Sequence, residues 1–403
     1  MRRREFLKVA GTGVAFIVVG CGSSGGSRTA AGDGDGNGDE NGDGNGNGNG
    51  NGNGVVTEIE LGITAALAEM VDGRTVYVWA FESPQTGPRF PGPVLQATEG
   101  DALRILVTNH LDEAHAFAVP GVVESPPIPP GETAAVEFTV PAAGTYLYID
   151  PLNAPVNRVL GLHGALVALP AEGLNTPYSQ PTQAVQRLFD DLGTTDHFPK
   201  HALSSAGWQR ERTRIWLHHQ IDPRFHELAE SGTVIAPLVM QNEFLPRYFT
   251  INGKSGVFAS HDHDTLLEGR IGQPMLVRIL NAGLFTHSDH LHANHFYVTA
   301  VNGQVRDNVY FIDTYHIFPE DRVDWLVPFN RPPDIPGDPA TPLRVLLAQE
   351  LDLVLGDVPQ SPLEYPMHCH MEQSQTAAGG NYPQGAITHL EILGDLDGVD
   401  FPQ

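Results

Sequence analysis

Cysteine is almost absent. The 403 residues hold two, Cys21 and Cys369. Cys21 closes an N-terminal apolar run, so the rest of the chain keeps one cysteine and can form no internal disulfide. Lysine is also scarce, with Lys8, Lys200 and Lys254 standing against 48 Asp and Glu. The formal net charge is −25 at pH 7, and only six of the acidic residues precede Val55. Such a surface repels phosphate backbones, which excludes nucleic acid as a partner, while cationic small molecules and metal ions are attracted. Adaptation to a salty environment produces the same composition. No apolar run is long enough to span a bilayer unaided. No Gly-x-Ser-x-Gly elbow occurs, so serine hydrolase chemistry has no support. Asn252-Gly-Lys-Ser255 lacks the preceding glycine of a phosphate loop.

What is present begins with a leader. Arg3-Arg4-Glu5-Phe6-Leu7-Lys8 followed by the apolar stretch Val9 to Val19 looks like a twin-arginine export signal. It ends in Val18-Val19-Gly20-Cys21, which resembles a lipoprotein processing site with Cys21 as the lipidated residue. Residues 1–21 are read as this signal. Residues 22–54 are Gly/Asn/Asp repeats and read as a flexible tether. The expected location is the outer face of the cell membrane or the periplasm, with membrane attachment through the lipid alone.

The chemistry lies in two histidine clusters, His287-Ser-Asp-His290-Leu-His292 and His368-Cys369-His370. A lone thiolate between imidazoles suits copper, and zinc is a rival with similar ligand tastes. Alternate side chains on a strand share a face. His368 and His370 therefore look one way and Cys369 the other, and His290 and His292 share a face. Of the other histidines, His110, His163, His218, His219, His226 and His316 carry no motif and read as ordinary surface or core residues. His261-Asp-His263-Asp264 reads as a polar loop.

Short β-rich runs punctuated by Gly and Pro argue an all-β fold of sandwiches. They include Thr75–Ala80, Ala102–Thr108, Ala134–Val140, Gly144–Ile149 and Ala165–Leu169. A second series includes Pro274–Leu280, His295–Val301, Arg322–Pro328, Leu343–Ala348 and Ala386–Leu393. Thr182–Leu192 alone reads as helical and separates the two series.

Phe90-Pro-Gly-Pro93, Glu99-Gly-Asp101, Val107-Thr-Asn109, Gly144-Thr-Tyr146 and Gly161-Leu-His-Gly-Ala165 resemble the first cupredoxin domain of a multicopper oxidase. Phe249-Thr-Ile-Asn-Gly253, Arg278-Ile-Leu-Asn-Ala282, the His287–His292 cluster, Asp313-Thr314 and His368-Cys-His370 resemble its copper-bearing last domain. The resemblance implies two tandem cupredoxin-like Greek-key sandwiches, residues 55–172 and 211–396 joined by 173–210, as in two-domain laccases and copper nitrite reductases. It implies copper as the cofactor. His287 and Cys369 would form a type 1 centre, with His290, His292, His368 and His370 at a type 2/type 3 region that His115 joins from the first domain. Cys369, His368 and His370 would carry electrons. A homotrimer and a small-molecule or protein electron donor are also implied.

The chain departs from the family pattern. Ser374 stands where a second type 1 histidine is expected, and Gly379 where the axial methionine is. Met367 and Met371 are nearer thioethers. In the first domain Phe117 replaces one histidine, and Ile149-Asp-Pro151 replaces a pair, with Asp150 as a possible oxygen ligand whose side chain should point away from the faces that the lost histidines used. Two functions stay open: a copper oxidoreductase, and a non-catalytic copper-binding or electron-transfer protein.

Overall fold

In Ala102–Asn109 every second side chain is buried, namely Leu103, Ile105, Val107 and Asn109, and that period of two is what places one face of a sheet on a core. The computed structural model describes residues 56–171, 174–194, 212–332 and 362–394, with the backbone strand Phe16–Val18 and position 345. The tether, Cys21 and most of the expected leader lie outside the described residues, as does all but position 345 of the expected strand Leu343–Ala348.

Four sheets make two sandwiches. One sheet has the order Gly87–Arg89, Thr75–Ser83, Thr57–Glu69, Ala102–Asn109, Thr133–Thr139. Its partner runs Phe16–Val18, Val94–Thr98, His163–Leu169, Gly144–Ile149, Ala118–Val119, Val123–Glu124. Trp79, Phe81, Ile105 and Val107 from the first meet Leu95, Tyr148 and Leu166 from the second in one core. The second sandwich joins a sheet ordered Tyr248–Ile251, Thr213–Ile221, Met275–Asn281, Arg322–Val327, Phe296–Val301, Gln304–Ile312 to one ordered Leu267–Gly269, Ile387–Ile392, Leu363–Cys369, His287–Leu291, Thr314–Ile317. Its core stacks Trp325 on Phe296 at 3.7 Å and takes in Leu291, Met367 and Cys369. The architecture is that of two cupredoxin-like β-sandwiches in tandem, as the sequence led us to expect.

The strand Thr213–Ile221 serves both halves. Trp216 points into the second core, while Ile215 and Leu217 pack with Leu280 and Ala282 against Val94, Leu147, Ile149, Ala165, Val167 and Leu169 of the first sandwich. This apolar seam is extended by buried polar ties. Arg158 donates to the carbonyl oxygens of Ala282 and Gly283 at 2.5 and 2.9 Å, and Thr145 donates to Asp324 at 2.8 Å.

The expected helix is found at Gln183–Thr194, with Val185 N in its first turn donating to the Thr182 hydroxyl. Val185, Phe189 and Leu192 pack on Leu276, Ala300 and Leu326. Four further helices were not expected: the single turns Val156–Val159 and Val257–Ser260, and the longer Pro223–Glu230 and Pro237–Glu243, which both carry proline at the first position, the former capped by Asp222 accepting from Arg224 N. No described helix is long and apolar enough to cross a membrane.

Candidate metal centre

The strands His287–Leu291 and Leu363–Cys369 pair antiparallel, with Asp289 opposite Cys369, His290 opposite His368 and Leu291 opposite Met367. Directly opposed residues share a face. One face therefore collects His290, His292, His368 and His370. The other carries His287, Asp289 and Cys369 into the core.

On the outer face the four imidazoles form a continuous cluster. Ring centroids lie 4.7 Å apart for His290 and His292, 4.8 Å for His290 and His370, 4.9 Å for His368 and His370, and 5.2 Å for His292 and His368. His290 Nδ1 sits 2.8 Å from the Thr314 hydroxyl and 3.1 Å from the Asp313 carbonyl oxygen. The carbonyl can only accept, so Nδ1 carries the proton and Nε2 keeps its lone pair. His292 Nε2 and His368 Nε2 are 3.1 Å apart. That is the separation two imidazoles show on one ion with metal–nitrogen bonds of about 2.0–2.1 Å. Burial, and then neighbouring imidazoles, hold His292 and His368 below the ordinary histidine range. Neutral rings are the form that binds metal.

The inner face is fully buried. Cys369 has no exposed surface; burial, and then the Asp289 carboxylate, push its thiol up to about 12, while Ser288 N donates to its sulfur at 3.1 Å. His287 stacks on His218 with centroids 4.2 Å apart and lies well below the ordinary range through burial and that neighbour. His218 Nε2 is 2.6 Å from Asp289 Oδ2. Among the described residues, His218, His287 and Asp289 are the one set of three metal-ligating side chains whose ligand atoms all lie within 4.8 Å of one another. Ser374 is buried beside the thiol and gives its hydroxyl proton to the Met371 carbonyl at 2.7 Å. Met367 is buried in the same core as Cys369, whereas Met371 is exposed.

The first sandwich contributes less. His115 is buried against the edge of Trp79, centroids 4.8 Å apart, and donates Nδ1–H to Asp150 at 2.7 Å. Asp150 also takes Ala116 N, Leu152 N and the Asn157 amide. It is pinned as an acceptor inside the first sandwich, on the side of His115. Phe117 and Ile149 fill apolar positions in the core and the seam.

The sequence reading thus grouped the outer histidines correctly as neighbours and separated Cys369 from them. It missed His218 and Asp289 as companions of His287. Trp216, His218 and Gln220 alternate along one strand, and polar residues at inward positions were the available signal.

A multicopper oxidase family profile matches residues 80–172. Among curated proteins the chain is similar to laccase-11 of Arabidopsis thaliana, 27% identical over 214 residues, covering 48% of this chain and 32% of that protein. It is also similar to L-ascorbate oxidase of Cucumis sativus, 31% identical over 130 residues, covering 29% and 22%. The chain therefore spans a third or less of the length of these relatives. Among solved structures it resembles the blue copper oxidase of Nitrosomonas europaea, TM-score 0.59 at 19% identity, covering 83% of this chain and 85% of that one. It also resembles the copper nitrite reductase of Nitrosomonas europaea, TM-score 0.52 at 17% identity, covering 84% and 94%. The last two likenesses concern the fold. The chain is of multicopper-oxidase and cupredoxin type, similar in sequence to laccases and in fold to copper nitrite reductases, with an incomplete set of metal ligands among the described residues.

Proposed function

We propose that this protein binds copper through its second sandwich, residues 211–396, and serves in copper holding or electron transfer rather than in four-electron reduction of dioxygen. The observation that carries the reading is the outer cluster, where four imidazole rings adjoin and His292 Nε2 and His368 Nε2 stand 3.1 Å apart. Such a nitrogen-rich set suits copper. Against a full oxidase stands the first sandwich, residues 55–172, where Phe117, Ile149 and Pro151 replace expected imidazoles and His115 is held inward by Asp150.

Bound copper would supply a one-electron couple. The chain's own part is to hold His292 and His368 below the ordinary histidine range, to orient His290 through Thr314 and Asp313, and to keep the inner face dry. One observation favours the oxidoreductase reading as a second possibility. Cys369 is covalently next to both His368 and His370, so a copper at its thiolate would be wired to the outer face. The N-terminal motifs support export by the twin-arginine route with lipid anchoring at Cys21. The resemblance to two-domain members of the family is what supports assembly of copies as a homotrimer.

Metal content with optical and paramagnetic spectra of copper-loaded protein tests the reading. Copper retained without a strong thiolate charge-transfer band is expected. Protein that retains no copper after desalting overturns it. An intense thiolate band, lost together with oxidase activity in Cys369→Ser while copper is kept, would establish the second reading instead.

A further inference from the structure

The outer histidines occupy only one end of the solvent face of their sheet. We propose that His261, His389, Glu364 and Glu391, at the other end, form a surface site for a divalent cation of the zinc or copper(II) class. It shares no ligand with His290, His292, His368 and His370, and it does not rest on the copper reading of that cluster.

Strand register assembles the group. In Ile387–Ile392 the side chains of Thr388, Leu390 and Ile392 are buried, so His389 and Glu391 point to the outer face. Glu391 stands directly opposite Glu364 on one neighbouring strand and Glu268 on the other. Like charges directly opposite destabilise a sheet. The protein's own cations relieve this row only at one end. Arg212 and Arg214 act on Glu268, whereas among the described residues no lysine or arginine pairs with Glu364 or Glu391. Burial, and then Glu364 and Glu268, push the Glu391 carboxyl up, and His261 opposes them. A bound cation would offset the repulsion that remains.

His261 comes from a different element. It closes the single turn Val257–Ser260, which packs on Ile387–Ile392, and its ring meets His389 edge-on with centroids 6.1 Å apart. Its Nδ1 lies 3.1 Å from the Val257 carbonyl oxygen. That oxygen can only accept, so Nδ1 holds the proton and Nε2 keeps its lone pair. A backbone carbonyl behind an imidazole is a usual way to orient a metal-binding histidine. The acids that follow His261 are already engaged: Asp262 pairs with Lys254 at 2.7 Å, and Arg214 and Arg89 act on Asp264. The four proposed ligands face solvent, and rotation about their side-chain bonds can close them on an ion. Two imidazoles with two carboxylates suit zinc or copper(II), not soft copper(I). Pro366 keeps this set apart from the outer cluster. It stands opposite His389, and its carbonyl oxygen accepts from His292 N at 3.1 Å. His389 and His292 are therefore two strand spacings apart, about 10 Å, too far to share one ion.

The full chain carrying His290→Gln, His292→Gln and His368→Gln, which disables the outer cluster, is titrated with zinc or with copper(II) against a competing chelator. One equivalent is expected to bind. His389→Gln or Glu391→Gln added to that background is expected to weaken binding at least about tenfold. Thermal unfolding gives a second readout: zinc should raise the midpoint of the background chain and not that of its Glu391→Gln derivative. Glu391→Gln removes a charge from the repelling row, so its metal-free form should unfold at no lower temperature than its parent. No binding in the background chain overturns the site, as does equal affinity in His389→Gln, Glu391→Gln and their parent. The chain substituted only at His389 and Glu391 keeps the outer cluster whole. Its copper content therefore tests copper holding by that cluster separately, and failure of one site is distinguishable from failure of the other.

Discussion

Acid should loosen the seam between the two sandwiches, and the size of the effect follows from its histidines. His163 and His219 stack across the seam with ring centroids 4.5 Å apart, and Phe90 meets both rings edge-on. His226 lies in the helix Pro223–Glu230 and donates to the Tyr77 carbonyl oxygen at 2.7 Å, tying the second half to the first. All three are buried. Burial lowers His163 to about 3 and His226 to about 4, and puts His219 well below the ordinary value of 6.5. The unfolded chain therefore binds more protons than the folded one between those values and 6.5. The stability these rings permit is present above pH 6.5 and is lost as pH falls toward 4 and then 3. At about pH 5 the loss is about 2 kcal/mol for His163 and about 2 kcal/mol for His226, before His219 adds in the same direction.

The assay is denaturant unfolding of metal-free protein at pH 8 and at pH 5. The quantity compared is the difference between the two pH values, because the outer histidines also contribute to the unsubstituted chain. That difference should shrink by about 2 kcal/mol in His163→Gln, by a similar amount in His226→Gln, and by about 4 kcal/mol in the double variant. Absolute stabilities will shift as well, since each substitution disturbs packing, but the pH-dependent part isolates the proton. A double variant whose pH difference matches that of the original chain would falsify the claim that these rings are held neutral by burial.

Other consequences are separable. Leu217→Ala empties a position in the apolar seam and is expected to cost about 2–5 kcal/mol in the same unfolding assay at pH 8. Asp324→Asn breaks the buried group in which Arg278 at 3.0 Å, Tyr178 and Thr145 all converge, and is expected to cost about 3–5 kcal/mol. Gly283→Ala would set a methyl 1.9 Å from Gln220 Oε1, so the Gln220–His287 contact should be displaced. Proton resonances of the His287 ring should report that change, and an unchanged ring spectrum would count against the packing described.

The fold was legible in the sequence because its signals are local. Ala102–Asn109 alternates strictly, and Gly144–Ile149 is a short run rich in aromatic and β-branched residues; both are bounded by turn residues, so pattern and punctuation agree. The outer histidines were legible for the same reason: two residues apart on one strand means one face, and register supplied the rest. His218 was not legible. It sits 69 residues before His287, and the two rings meet only because Thr213–Ile221 and His287–Leu291 belong to facing sheets of one sandwich. The inward polar positions His218 and Gln220 could mark that strand as unusual, but nothing local marks the contact with His287. The helices Pro223–Glu230 and Pro237–Glu243 were hidden by length, being too short for a clear period of 3.6, although Asp222-Pro223 was a readable start.

The pairing of Asp289 with Cys369 bears on which function the chain can have. A thiol directly across a strand pair from a buried carboxylate, and out of water, is disfavoured as thiolate; both causes push it up to about 12. The thiolate is the form that binds metal. Metal ligation by sulfur on the inner face is therefore opposed by burial and by Asp289 together. The outer face bears no such penalty, since burial and neighbouring imidazoles hold His292 and His368 below the ordinary histidine range and His290 is oriented by Thr314 and Asp313. Metal at the outer face should therefore bind without waiting for the thiol. In a titration with copper(II), signals from imidazole ligation should precede any from sulfur, and a thiolate band at the first fraction of an equivalent would contradict that order.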